Sequence, residues 1–463
     1  MRFWEDFMYK TALILAAGDG KRMKSELPKV LHKVCGKELA AHVLKAVSSV
    51  SDDAPVVVTG NRGELIKTLL QDSARFAVQP ERRGTAHAVL CAAEYLEGRE
   101  GYVTVTAGDM PLITAQTFEA LLQKTVSEEL DVCVLTAVVD NADGYGRILR
   151  DEKNGVCGIV EHRDADEEQK KIREINTSVY CFKIDSLLEA LTKVKSNNAQ
   201  GELYLTDTLS ILRDAGKKVG ACVLQDVVEA MGINDRVQLA QAERVMRRRI
   251  NEEVMRSGVT LIDPENTYIE TDVEIGQDTV IYPNNLLCQG TRIGRECVLF
   301  PGSRIMASSV GDRCEIQGSV ILESRIGRET KIGPNAYLRP NSIIGDHVRI
   351  GDFVEVKNST IGNGSKVSHL TYVGDAEMGQ NCNVGCGTVF VNYDGAQKHH
   401  TQVGDHVFIG CNTNLVAPVK VGNNAFIAAG STVTEDVEEN DLCIARARQC
   451  VKKGWVLQNK NWK

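Results

Sequence analysis

Between Val273 and Thr432 an aliphatic residue followed by glycine returns on a six-residue rhythm, and this stretch narrows the fold more than any other. Among the pairs are Ile275-Gly276, Ile293-Gly294, Val310-Gly311, Ile326-Gly327, Ile344-Gly345, Ile361-Gly362, Val384-Gly385, Val403-Gly404 and Val421-Gly422. Neighbouring pairs stand six, twelve or about eighteen residues apart, with slips of one. A fixed period is the mark of a solenoid, and hexads point to a parallel β-helix. The aliphatic side chain is expected to point into a narrow coil, with the glycine easing a tight corner. A helical alternative fails, because each interior glycine costs about 1 kcal/mol relative to alanine.

A chain of 463 residues exceeds one ordinary domain, so two or three are expected. Its net charge of −8, with no long basic stripe, argues against nucleic acid as a partner. The fourteen cysteines show no CxxC pairs, which fits reduced thiols in a cytoplasmic protein better than disulfides or zinc. No segment is apolar enough for membrane insertion, the opening MRFWEDF lacks the apolar core of a signal peptide, and Met8 offers an alternative start.

The first half alternates strand and helix patterns, which implies an open, mostly parallel sheet. An apolar strand over Lys10 to Leu15 runs into AAGDGKRMKSELPK, a glycine-rich turn of the kind whose backbone N–H groups cradle phosphate. Neither GxxxxGK[ST] nor GxGxxG is present. The whole string from Leu15 to Leu31 resembles the signature LAAGxGxRMxSxLPKxL of sugar-1-phosphate nucleotidyltransferases, with every fixed position filled. The resemblance implies that Leu15, Ala16, Ala17 and Gly18 hold a nucleoside triphosphate, that Arg22 balances its charge and that Lys29 contacts a phosphate. QPERRGTAHA is similar to the segment that reads uracil, with Gln79, Gly84 and Thr85 as its contacts.

In YVTVTAGDM a β-rich run ends at Gly108-Asp109, placing Asp109 at a strand's carboxyl end, where open α/β sheets bind ligands. A carboxylate beside a triphosphate suits Mg²⁺, and Asn234 in GINDRVQL matches the family's second metal ligand, which also lies beside the nucleotide. Gly146 on an expected hairpin lid, with Glu161, Asn176, Tyr204 and Thr206, matches sugar-contacting positions. The implied reaction is attack of a sugar-1-phosphate oxygen on the α-phosphorus of UTP with loss of pyrophosphate. It needs positioning and charge neutralisation rather than a protein nucleophile.

A charged helical stripe from Asp235 to Arg256, which includes Val237, Leu239, Ile250 and Val254, reads as a link between domains, and Gly258 ends it. Beyond it the hexads break once, at GTVFVNYDGAQKHHTQ, and a loop inside tight repeats is usually functional. Together with LRPNS, EVKNS and SKVSHLTYVGDAEMG, this half resembles the acetyltransferase domain of a bifunctional bacterial family. That family joins N-acetylglucosamine-1-phosphate uridylyltransferase to glucosamine-1-phosphate N-acetyltransferase, and the resemblance runs from about Tyr9 to Gly454.

The fold it implies is an α/β nucleotidyltransferase domain with a Rossmann-like mixed sheet, followed by a left-handed parallel β-helix of hexapeptide repeats. The expected domains are residues 8–234, a linker helix 235–258, the β-helix 259–440 and a tail 441–463. His369 is the implied general base toward the amine of glucosamine-1-phosphate, with Glu355 matching a position that orients or polarises it. Arg339, Lys357, Tyr372, Asn383 and Lys398 match contacts to that sugar phosphate. Asn392 and Tyr393 match positions that stabilise the oxyanion and hold the acetyl group of acetyl-CoA, and Cys386, Cys411, Ala429 and Arg446 match positions that line its channel.

A metal site from His399, His400 and His406 lacks suitable spacing and acidic partners. The product of acetyl transfer, N-acetylglucosamine-1-phosphate, is then the substrate for uridylyl transfer. Relatives assemble as homotrimers, and the tail with Trp455 is expected to cover the open end or complete a neighbour's site. Two other readings stand beside this one: a nucleotidyltransferase whose β-helix is only an oligomerisation arm, and a purely structural trimeric scaffold.

Overall fold

The computed structural model describes residues 8–18, 20–60 and 63–459. The opening MRFWEDF lies outside them, as do the last four residues of the tail. The chain divides into two compact units, the first ending at Met246 and the second beginning at Arg247.

Unit 1 is built on a nine-stranded mixed sheet. In chain order its strands are β1 (Tyr9–Ala16), β2 (Val56–Thr59), β3 (Arg75–Val78), β4 (Gly101–Ala107), β5 (Val132–Val138), β6 (Arg147–Arg150), β7 (Val156–Val160), β8 (Glu174–Lys183) and β9 (Val219–Val223). The order across the sheet is β9-β5-β8-β4-β1-β2-β3, with β6 paired to β8 and β7 to β6. Strands β4, β1, β2 and β3 run parallel, as the alternating pattern predicts. Strand β8 enters antiparallel to both β4 and β5, which makes the sheet mixed. Buried on both faces, the central strands read as nearly continuous apolar runs such as Val56–Val58. Because β1, β2, β3 and β4 are parallel, the loops after Ala16, Thr59, Val78 and Ala107 all leave from one edge.

The helix Arg236–Arg256 begins one residue later than its sequence pattern suggests. In its first half Glu243 accepts from the Cys35 amide at 2.7 Å, and in its second half Ile250, Val254 and Met255 pack on the β-helix core. Val237, counted in the apolar stripe, is exposed. Buried Asn251 donates to the carbonyls of Pro264 and Thr267 at 2.7 and 3.0 Å, fixing the helix end to the first coil.

Unit 2 is the left-handed parallel β-helix. Short strands, most of two residues, pair in register with the strand one coil on, giving three faces of eleven, ten and nine strands. The first face runs from Thr260–Leu261 to Leu442–Cys443, the second from Tyr268–Ile269 to Thr432–Val433, and the third from Glu274–Ile275 to Val419–Val421. Inward aliphatics such as Ile293, Ile316, Leu338, Ile361 and Val384 form one continuous core.

The glycine of the repeated pair has a different purpose from the one its sequence suggests. Along the column Gly276, Gly294, Gly311, Gly345 and Gly362 the backbone is not left-handed. A Cβ there would meet the next coil at 2.3 to 2.8 Å, so glycine is required by the close stacking of coils. The left-handed corners are filled instead by residues such as Asn341, Asn358 and Asp375, whose short polar side chains tolerate that conformation. No disulfide links any of the fourteen cysteines.

Candidate active sites

In unit 1 a cavity of about 340 Å³ opens at the carboxyl edge of the parallel strands. It gathers Leu15, Ala16, Ala17 and Gly18 after β1, Gln79 after β3, Asp109 after β4, and also Lys29, Gly84, Thr85, Glu161, Asn176 and Thr206. Residues separated by nearly two hundred positions thus meet because parallel topology delivers their loops to one place. Gly84 is required here on two counts: its φ is +108°, and a Cβ would lie 2.3 Å from the Leu203 carbonyl oxygen. That contact joins the GTAHA segment to GELYLTD, since Ala86 donates to Leu203 and Leu205 donates to the Thr85 hydroxyl, both at 2.9 Å.

The metal-candidate oxygens share the Lys29 ammonium, and one of them also meets the Arg22 guanidinium. Lys29 forms an ion pair with Asp109 and donates to Asn234 Oδ1 at 3.2 Å, and Arg22 donates to that same oxygen at 2.9 Å. The Ile233 amide donates to the Asp109 carbonyl at 2.9 Å, which binds the two metal-candidate segments to each other. Two hard oxygen donors converging on an ammonium form a place suited to a cation, and phosphate oxygens and water complete such a set for a small divalent ion. The residues present therefore fit a divalent metal.

On the sugar side, burial pushes the Glu161 carboxyl up, against a 3.3 Å hydrogen bond from the Thr206 hydroxyl. Asn176 donates to the hydroxyl of buried Tyr180 at 2.8 Å. Gly146 sits behind this pair, where a Cβ would come 3.5 Å from both Asn176 and Glu161. Tyr204 departs from expectation: it does not line the cavity, and its hydroxyl accepts from Gln200 at 2.7 Å. Arg82, Ser178, Tyr180 and Glu202 line the cavity without having been singled out in the sequence.

In unit 2 the second face carries a polar cluster. Arg339 donates to Glu355 at 2.9 Å, Glu355 lies in register with Tyr372, and the Tyr372 hydroxyl accepts from Asn392 at 3.3 Å. Lys357 stands 3.7 Å from Asp375, and its ammonium lies close enough to Lys398 to hold that lysine below its ordinary range. The loop bearing Tyr393 and Lys398 is a small hairpin in which those two residues bridge, and Asp394 accepts from Ala396, Gln397 and His399 at 2.6 to 2.8 Å.

His369 requires a correction. Its Nδ1 lies 2.6 Å from Asp352, the register partner one coil before, whereas Glu355 is engaged by Arg339. The His369 imidazole in turn holds the Asp352 carboxyl below the usual carboxylate range. Asn383 also stands apart: it lies on the first face between Lys366 and Phe408, outside the second-face cluster. Asn392 lies beside this cluster, with its amide nitrogen taken by Tyr372 and Asp375.

Cys386, Cys411 and Ala429 follow one another up a single corner: Cys386 accepts from Asn412 and Cys411 from Gly430, each at 2.8 Å. Arg446 continues this column, reaching to Gly430. Trp455 opens a short helix, Trp455–Gln458, and is exposed. Among the described residues no group of three or more His, Cys, Asp or Glu side chains is arranged to hold a metal. His399 and His400 turn to Asp394 and Glu377.

Residues 12–161 match the MobA-like NTP transferase domain, residues 322–393 the GMPPB C-terminal domain, and residues 400–435 the bacterial transferase hexapeptide (six repeats). The chain is 54% identical over 450 residues to the bifunctional protein GlmU of Clostridium beijerinckii, covering 97% of this chain and 98% of the relative. It is 54% identical over 452 residues to the bifunctional protein GlmU of Clostridium novyi, at 97% and 99% coverage. The corresponding protein of Caldanaerobacter subterraneus is 53% identical over 445 residues, at 96% and 97%.

Proposed function

The chain belongs to the family of bifunctional GlmU proteins, enzymes of uridylyl and acetyl transfer, and from that membership we propose how its own residues divide the two reactions. Acetyl transfer from acetyl-CoA to glucosamine-1-phosphate comes first, and N-acetylglucosamine-1-phosphate then reacts with UTP to give UDP-N-acetylglucosamine and pyrophosphate.

For uridylyl transfer, the turn Leu15–Gly18 takes the triphosphate on its backbone, with Gln79, Gly84 and Thr85 around uracil. Glu161, Asn176, Thr206 and the backbone of Gly146 orient the sugar, and Tyr204 supports that wall from behind. The sugar phosphate oxygen is already anionic, so no side chain need activate it. Arg22 and Lys29 neutralise the charge that moves onto the leaving pyrophosphate. Asp109 and Asn234 would hold the divalent ion, which we assign as Mg²⁺ and which supplies further neutralisation when bound.

For acetyl transfer, the geometry at His369 sets the direction of proton flow. An ionised Asp352 can only accept, so Nδ1 of His369 carries the proton and Nε2 keeps its lone pair. Nε2 takes a proton from the glucosamine nitrogen as that nitrogen attacks the thioester carbonyl, and returns it to the departing CoA sulfur. Lys357 and Lys398 receive the sugar phosphate with Arg339 and Tyr372. Asn392 and Tyr393 border the acetyl group, and Cys386, Cys411, Ala429 and Arg446 border coenzyme A.

Asn383, on the neighbouring face, is proposed to serve a site completed by a second copy. Exposed Phe408 and Phe426, stacked at 4.5 Å on that face with Leu442 beyond, support assembly, which we take to be a homotrimer. No helix among the described residues is long and apolar enough to cross a membrane.

The pairing of His369 with Asp352 carries the bifunctional reading, because a β-helix acting only as an arm needs no oriented imidazole. Mass spectrometry of products from acetyl-CoA, glucosamine-1-phosphate, UTP and Mg²⁺ tests it. Wild type is expected to make UDP-N-acetylglucosamine, and His369→Ala to do so only from the pre-acetylated sugar phosphate. A wild-type enzyme that also requires the pre-acetylated sugar would make the β-helix an arm.

A further inference from the structure

Asp375 has no place among the contacts assigned above, yet more of the acetyl-transfer face passes through it than through any of them. It occupies the corner after Tyr372–Gly374, with φ +50° and only 9% of its surface exposed. One carboxylate oxygen accepts from Asn358 at 2.7 Å. The other accepts from the Asn392 amide and lies 3.7 Å from the Lys357 ammonium. Its backbone amide donates to the Lys357 carbonyl at 3.1 Å, and its carbonyl accepts from Thr401 at 3.2 Å. The coil before, and both ends of the loop that carries Tyr393 and Lys398, are thus attached to this one residue.

Burial opposes ionisation of this carboxyl, but the hydrogen bonds from Asn358 and Asn392 and the charges of Lys357 and Lys398 prevail and hold it below the usual carboxylate range. A buried anion here does two things. It fixes the Asn392 carboxamide by its nitrogen, so the oxygen and the adjoining backbone face a constant direction. It also offsets one of the two ammonium charges on Lys357 and Lys398, leaving a net single positive charge for an incoming phosphate.

We propose that Asp375 is a positioning residue for acetyl transfer, acting through Asn392 and the Lys357–Lys398 pair without touching substrate. The proposal rests on the reading that those three residues meet the acetyl group and the sugar phosphate.

The left-handed corner favours a clean test, because asparagine tolerates that conformation as well as aspartate and has the same shape. In Asp375→Asn, however the new carboxamide turns, one NH₂ group faces another on Asn358 or Asn392. The kcat for acetyl transfer is expected to fall about 30-fold, less than loss of a whole oxyanion donor. The KM for glucosamine-1-phosphate is expected not to rise, since the lysines lose a competing anion. A kcat near wild type, or a loss carried in KM, overturns the proposal.

Asn392→Ala separates the two layers of argument. If it leaves kcat unchanged, the reading of Asn392 fails. If it lowers kcat, adding Asp375→Asn should cost less than about threefold more, and full multiplication of the two effects overturns the positioning role alone. Uridylyl transfer from N-acetylglucosamine-1-phosphate and the thermal melt, measured on each variant, report folding. Should Asp375→Asn fold poorly, Asp375→Gly suits the same backbone and is expected to show the same kcat loss.

Discussion

The two sites differ in how a chain can gather functional groups. In unit 1 the groups come from loops far apart in sequence and close around a cavity, where polar groups answer one another: Lys29 pairs with Asp109, and Arg22 donates to the neutral Asn234 carboxamide. In unit 2 the groups lie along a face and a corner, each coil adding a few, and much of the site stays open: Tyr393 and His369 are exposed, and Arg339 is partly so. The cavity is lined by several of this chain's own loops. The face offers half of a surrounding, with apolar Leu370, Val389 and Phe408 exposed beside it. A substitution in the cavity should therefore act on one chain's own chemistry, whereas one on the face also acts on what packs against it.

Opposite substitutions should separate the two, and the largest effect belongs to the cavity. Asp109→Asn removes the carboxylate paired with Lys29, and uridylyl transfer is expected to fall about a thousandfold with acetyl transfer within twofold of wild type. Parallel loss of both activities would erase the distinction. On the face, Asp352→Asn lets a carboxamide donate to His369 Nδ1 and so favours the tautomer with its lone pair on the wrong nitrogen. Acetyl transfer is expected to fall about a hundredfold, less than for a fully buried pair because this one is exposed. Uridylyl transfer of the pre-acetylated sugar should be unaffected, and an unchanged acetyl rate would return the orienting role to another residue.

The same contrast governs what could be read in advance. The hexads dictated coil, core and faces because side chains one coil apart must stack. That rule also contained the pairing missed at His369. Asp352 lies seventeen residues before it, and Asn358, Asp375 and Asn392 follow one another at the same interval. Stepping back one coil from each expected site residue would have found Asp352 and Asp375, while Glu355 fails by three residues. In unit 1 no such ruler exists. The meeting of Lys29 with Asp109 and Asn234 spans 80 and 205 residues and depends on which loops leave the same sheet edge. Motifs there marked the strand ends correctly, but Arg82, Glu202 and the bulge at Ser178 line the cavity through contacts that no local pattern announces.

A moderate effect tests whether the cavity's charges are truly self-satisfied. With Lys29 between the two oxygens, a divalent ion must displace an ammonium unless a nucleotide draws it onto phosphate. Lys29→Met should therefore tighten Mn²⁺ binding to the ligand-free protein by at least about tenfold, the scale of one neighbouring charge. Electron paramagnetic resonance titration reads this without turnover. Equal affinity in both proteins would mean that the ammonium and the metal do not compete.

The smallest expected effect concerns Glu161. Its carboxyl is pushed up by burial and, secondarily, by Asp164 and Asp207, so the folded state binds a proton more readily than the unfolded chain does. By linkage the ionised group costs stability at neutral pH. The cost fades as pH falls through the raised value and is gone below the ordinary glutamate range. Glu161→Gln should thus raise the melting temperature of the ligand-free protein by about 2 °C at pH 7 and leave it unchanged near pH 4. At the same time it should raise the KM for N-acetylglucosamine-1-phosphate if, as proposed, the carboxylate that burial disfavours meets the sugar hydroxyls. The face provides the control: Asp352 is held low by His369, so its pairing adds stability at neutral pH that is lost on acidification, and Asp352→Asn should move the melt in the opposite sense. Stabilisation by both substitutions at pH 7 would show that the cavity stores no more strain than the open face.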